Sequence, residues 1–250
     1  MTPNPIRKVL STIRKHQVQA LLMGGQACVF YGAAEFSRDI DLAILCQPSN
    51  LERLRMTLAD LEAEVIAVPP FHPEFLLKGH AVHFRCHHAE AAGLRIDVMA
   101  TMRGVAPFDD LWERRTTIFT ADGETIDLMS LPDLVQAKKT QRDKDWPMIR
   151  RLLEAHYAQF RTEPTAERLR FWLRELRTPS LLLEIMMRGE AVRPFVPPSR
   201  SWLAVAPLAL PAIEAHLQAE ERAEREADRA YWAPLKKELE DLRRARHRPG

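Results

Sequence analysis

Two aspartates one residue apart, Asp39 and Asp41, head the apolar run Asp39-Ile40-Asp41-Leu42-Ala43-Ile44-Leu45. As a β-strand, this run turns both carboxylates to one face and Ile40 and Leu42 to the other. At that spacing the acids lie roughly 6–7 Å apart along the strand. They repel one another unless something positive sits between them. The apolar residues that follow predict a largely buried strand, where uncompensated charge is costly. A divalent cation is the simplest resolution, because hard cations take oxygen ligands. A third acid, Asp97, stands in a similar run, Leu94-Arg95-Ile96-Asp97-Val98-Met99. Two roles are open to it. It is either a further oxygen ligand of the same site, or the salt-bridge partner of Arg95, two positions earlier on the same strand face.

Other residues suit phosphate. The glycine pair Gly24-Gly25 follows the apolar Leu21-Leu22-Met23. Such a pair turns a strand into a helix and lets the backbone approach a phosphate, which the first helical N–H groups bind. A tight strand-to-helix turn with no ligand needs the same two residues. Ser37 and Arg38, just before the acids, offer a hydroxyl and a guanidinium to phosphate oxygens, although Arg38 points away from the acids if the strand is already regular there. Downstream, Lys138, Lys139, Arg142 and Lys144 form a basic run that ends at Asp145. It reads either as a phosphate-neutralising set or as a solvated helix end with ion pairs.

Gly24-Gly25, thirteen intervening residues, Asp-x-Asp in an apolar strand and a later acid in another together resemble the signature of the DNA polymerase β-like nucleotidyltransferase superfamily. The run from Lys138 to Asp145 resembles a Lys…Arg-x-Lys-Asp motif of the same superfamily, with slightly shorter spacing. The resemblance spans roughly the first 150 to 160 residues at the level of motifs. Within the superfamily the chain is similar to the bacterial group of abortive-infection-type toxins and minimal nucleotidyltransferases. The resemblance implies transfer of a nucleotidyl group from a nucleoside triphosphate, ATP among the candidates, to an acceptor hydroxyl, with two Mg2+ or Mn2+ ions. It further implies that Asp39 and Asp41 bridge both ions, and that Asp97 completes the acceptor-side set and takes the proton. Gly24, Gly25, Ser37 and Arg38 would then hold the triphosphate, and Lys138 or Lys139 would neutralise it. Relatives of this kind modify RNA, typically transfer RNA, or antibiotics or partner proteins, and toxins among them pair with an antitoxin. The competing expectations are a nucleotide-binding regulatory or antitoxin-type module whose catalysis has lapsed, and an interaction protein built on the C-terminal helices.

The elements that must position these residues are legible from periodicity. A helix is expected over residues 5–16, a strand over 20–23, a short helix over 26–31 and a helix over 50–62 capped by Asn50. A strand is expected over 64–68, ended by Pro69-Pro70. His80, His83, His87 and His88 match no closed zinc spacing. Their segment reads instead as a hairpin strand pairing with 94–99. A helix over 108–114 is followed by a hairpin of 116–119 with 124–128, turned at Ala121-Asp122-Gly123-Glu124. A helix starts at Ser130 or Pro132 and carries the lysines. Beyond Pro164, helices are expected over 166–176 and 181–187, with a proline-rich connector over 191–201. A charged helix runs from about Pro211, kinked or divided by Pro234. The fold class is α/β (α+β): a small mixed sheet flanked by helices. Residues 1–160 form the catalytic domain and 161–250 a helical C-terminal region.

An apolar content of 46% with 28% charged residues belongs to a globular chain that can bury a core, and a net charge of +2 does not by itself indicate a nucleic-acid binder. The basic tail from Arg243 to Arg248 is a local exception that either touches RNA or is simply solvated. Cys28, Cys46 and Cys86 read as thiols rather than a disulfide framework. The N-terminus lacks a signal-peptide core and no apolar run reaches membrane-spanning length. The expectation is a cytoplasmic protein without a membrane partner.

Overall fold

The computed structural model describes residues 4–120, 123–205 and 208–246. The chain is mixed α/β with a seven-stranded mixed sheet. The strands are β1 (Ala20–Met23), β2 (Asp39–Ile44), β3 (Glu64–Val65), β4 (Val82–Arg85), β5 (Arg95–Met99), β6 (Thr116–Phe119) and β7 (Thr125–Leu128), in the order β3-β4-β5-β2-β1-β7-β6. β2 runs parallel to β5 and antiparallel to β1, which itself runs parallel to β7. β4 pairs antiparallel with β5, as its hairpin pattern predicts. The helices are α1 (Asn4–Lys15), α2 (Gly24–Phe30), α3 (Pro48–Asp60), α4 (Pro73–Lys78), α5 (Phe108–Glu113), α6 (Leu131–Ala137), α7 (Asp145–Phe160), α8 (Ala166–Glu175), α9 (Pro179–Met186) and α10 (Leu210–Arg246).

The chain divides into two compact units. The first comprises residues 1–30, 34–137 and 230–250, the second residues 31–33 and 138–229. The first holds the whole sheet. Ile40, Leu42, Val82, Phe84, Ile96 and Val98 are buried and share one face of the central strands by alternation. Asn50 is buried inside α3 rather than capping it. Its amide bonds both backbone groups of Gln19 and accepts no helix N–H, while Nδ2 also reaches the Leu45 carbonyl (2.9 Å), tying the start of β1 to the end of β2. β3 covers only two residues of the expected five. Ser130 starts α6 as expected, its hydroxyl accepting from the Asp133 N–H and donating to that carboxylate (2.6 Å).

The second unit is helical. Both α7 and α8 belong to this unit. The Trp172 ring sits edge-on to Tyr157 at 4.9 Å and its indole N–H donates to His156. The connector folds into 3-10 turns, Gly189–Ala191, Arg193–Phe195 and Pro198–Ala204, and buries Arg200. Pro234 lies inside α10 without dividing it. The hairpin β6–β7 forms as expected, with Ala121 and Asp122 of its turn outside the described residues. The end of the basic tail, 247–248, also lies outside them. Among the described residues, no helix is long and apolar enough to cross a membrane.

Candidate functional site

The acids meet on one face of the sheet because strand register brings them there. In the parallel pair β2–β5, Asp39 lies opposite Arg95 and Asp41 opposite Asp97. On the other side of β5, His83 of β4 lies opposite Asp97. Residues paired across a sheet project to the same side, so Asp39, Asp41, His83, Arg95 and Asp97 share one face. All five are half-buried, whereas their strand neighbours on the opposite face are buried.

The glycine pair belongs to this face in a way its sequence only half suggests. Gly24 has φ +64°, in the left-handed region, and starts α2. A Cβ on Gly24 would overlap the Asp41 carboxylate, and one on Gly25 would overlap the Ser37 hydroxyl. The Gly25 N–H points at Asp41 Oδ2, 3.4 Å away. Both glycines therefore make room for side chains of the site itself. Buried Gln26 holds the approach to β2 by donating to the Ser37 carbonyl (2.8 Å), and the Ser37 hydroxyl leans toward the Asp39 carbonyl (3.3 Å). Arg38 is exposed.

Asp97 is the most firmly held of the acids. Arg95 donates to both of its oxygens, Nε to Oδ1 at 2.6 Å and Nη2 to Oδ2 at 2.9 Å. His83 Nδ1 lies 2.8 Å from Oδ1 and 3.0 Å from Arg95 Nη2. Burial pushes the Asp97 carboxyl up, but hydrogen bonds from His83 and Arg95, with the charge of both, bring it below the usual carboxylate range. The Asp97 hydrogen bond, aided by the charges of Asp97, Asp39 and Asp41, holds the Arg95 guanidinium above its ordinary value. Arg95 thus feels all three acids. The salt bridge weighed for Asp97 in the sequence is present. His83, Arg85 and Arg95 are members of the face that the motif does not include; the hairpin register of β4 against β5 is the signal that finds His83 and Arg85.

Lys138 and Lys139 lie in the second unit, and not on a helix. α6 ends at Ala137, and 138–144 form a loop closed onto the first turn of α7. Buried Asp145 accepts from Thr140 Oγ1 (2.6 Å) and Arg142 Nε (2.8 Å), and the Trp146 indole N–H donates to the Thr140 carbonyl. Such side-chain bonds compete with helix continuation and end it. Lys138 Nζ is 3.6 Å from Asp145 and Lys139 Nζ 2.8 Å from Glu175, with all four residues buried.

Asp39 and Asp41 offer hard oxygens on one half-buried face and suit Mg2+ or Mn2+. Among the described residues, no group of three or more His, Cys, Asp or Glu is arranged to hold a metal ion. A cation here would take two protein carboxylates and complete its shell from phosphate oxygens and water, the usual habit of Mg2+. A separate hollow of about 280 Å3, lined by Leu10, Ile13, Leu42, Trp112 and Ile126, opens on the opposite side of β2. Comparison of the chain with protein-family models and with curated proteins gives no match.

Proposed function

We propose that this chain is a metal-dependent nucleotidyltransferase of the DNA polymerase β-like kind, moving a nucleotidyl group from a nucleoside triphosphate to an acceptor hydroxyl. One observation carries the reading: Asp39 and Asp41 share a face with Asp97 across a parallel strand pair, beside a glycine turn into whose space the Asp41 carboxylate fits. Asp39 and Asp41 would hold Mg2+ or Mn2+. When bound, the ion supplies charge neutralisation for the triphosphate and the departing pyrophosphate. The acceptor oxygen bonds to the α-phosphorus, the α–β bridging bond breaks, and the hydroxyl proton leaves to water. Gly25 and Ser37 would turn a N–H and a hydroxyl, directed here at Asp41 and at the Asp39 carbonyl, to phosphate oxygens. Lys138 and Lys139, each paired with a buried carboxylate, would neutralise the triphosphate only on leaving those partners. RNA is the acceptor class we favour, on the likeness to toxin-type enzymes and on Arg243, Arg244 and Arg246 in the last turn of α10. A protein acceptor, and an antitoxin partner, belong to the same likeness.

The hold of Arg95 on Asp97 favours a second reading, a nucleotide-binding regulatory module without catalysis. One assay separates the two. Purified protein is incubated with each α-labelled nucleoside triphosphate, Mg2+ or Mn2+, and total RNA, beside an Asp41→Asn control. Label moved to RNA by the wild type alone supports the transferase and names its nucleotide. Label on protein redirects the acceptor. Nucleotide binding without any transfer supports the regulatory module, and no binding of nucleotide or metal ends both.

A further inference from the structure

Resting on the nucleotidyltransferase reading, we infer that Arg95 is a built-in cation of the acid face, standing in for one of two divalent ions, so that the site takes a single ion through Asp39 and Asp41. The inference begins with covalent placement. Arg95 and Asp97 are two positions apart on β5, and Arg95 lies opposite Asp39 in the β2 register. Strand alternation therefore keeps the guanidinium on the acid face whatever else is bound. Its planar fork spans both Asp97 oxygens, a geometry lysine does not reproduce. His83 packs against the same Oδ1 from β4. An ion seeking Asp97 as a ligand must displace two hydrogen bonds from a fixed positive charge and then sit beside that charge.

The charge balance points the same way. On β2 and β5 themselves three carboxylates stand with one guanidinium, a surplus of two negative charges that one divalent ion cancels, with His83 and Arg85 of β4 beyond them on the same face. Mg2+ is commonly held by one or two carboxylates together with substrate phosphates, which Asp39 and Asp41 supply without Asp97. In this arrangement Asp97 is a positioning residue: it fixes Arg95 over the face.

The test is a titration of the full chain with Mn2+ alone, read by the electron paramagnetic resonance of the free ion. The wild type is expected to bind one Mn2+ per chain and to lose it in Asp41→Asn. Asp97→Asn is expected to keep it. Arg95→Met, which frees Asp97, is expected to bind two, and Arg95→Met with Asp97→Asn to return to one. Circular dichroism checks folding; if Arg95→Met does not fold, Asp97→Asn decides alone, since loss of its Mn2+ makes Asp97 a ligand and overturns the inference. Two ions in the wild type, or a single ion in folded Arg95→Met, overturn it while leaving the transferase reading intact. No Mn2+ bound by the wild type removes the metal-dependent reading, and this inference with it.

Discussion

At the scale of single residues, the acid pair is arranged for charge rather than for packing. Asp39→Ala and Asp41→Ala are expected to lower transfer by several orders of magnitude with little loss of thermal stability, because each relieves repulsion on the face. A large drop in melting temperature in both would mark them as structural. Gly24→Ala should behave in the opposite way. At φ +64° the left-handed backbone alone costs an L-residue about 1–2 kcal/mol, and the new methyl would overlap Asp41. Urea denaturation reads that loss directly. His156 gives a pH signature unrelated to the site. Burial, and after it the charge of Arg168, push its imidazole down to about 4, and the Trp172 indole N–H donates to its Nδ1. The unfolded chain then takes up a proton that the folded chain refuses, so protonation favours unfolding. Stability contributed by neutral His156 is full above the unfolded value near 6.5 and declines as pH falls toward 4. Denaturation at pH 7, 5.5 and 4.5 should show the wild type losing ground to His156→Gln, whose side chain still accepts from Trp172 but does not titrate.

At the scale of elements, what the chain reveals by pattern and what it conceals have separate causes. Strands β1, β2 and β5 are plain in the sequence because apolar alternation and the two acids leave no other reading, and with them comes the acid face. The salt bridge of Asp97 to Arg95 is legible from their spacing, but the third contact, His83 to Asp97, depends on the hairpin register of β4. The glycine pair is legible as a turn; that it serves Asp41 and Ser37 is not, since it depends on sixteen residues of chain folding back to place Asp41 against the Gly25 N–H. The lysine loop fails to read as a loop because Lys, Gln and Arg are good helix formers, and only Thr140 and Asp145 betray the competing hydrogen bonds. Arg200 is hidden for a similar reason, lying in a proline-rich stretch that looks like a solvated connector. Its guanidinium donates to the Leu173 and Leu176 carbonyls at the end of α8 (both 3.0 Å) and to Glu220 of α10. Arg200→Ala should cost about 1–3 kcal/mol, measured by chemical denaturation, since the Leu173 and Leu176 carbonyls lose this donor while Glu220 keeps Arg177.

At the scale of the whole molecule, α10 is the element shared by both units, and its last stretch is part of the sheet unit. There Glu238 receives Lys78 and His80, the latter fully buried (2.7 Å), and a side chain at Gly79 would strike Tyr231. A chain ending at Arg229 should therefore unfold its sheet unit more readily than the full chain, with faster hydrogen exchange in β4 and β5 as the readout. Equal protection in both chains would show that the terminal stretch is dispensable. The same arrangement sets an order in time. During synthesis the acid face and its strands leave the ribosome early, yet the segment that covers Lys78 to His80 is made after every residue of the helical unit. The sheet unit reaches its final form only after the helical unit has been made, so a nascent chain halted anywhere before Ala230 carries the acids without the stretch of α10 that finishes their scaffold.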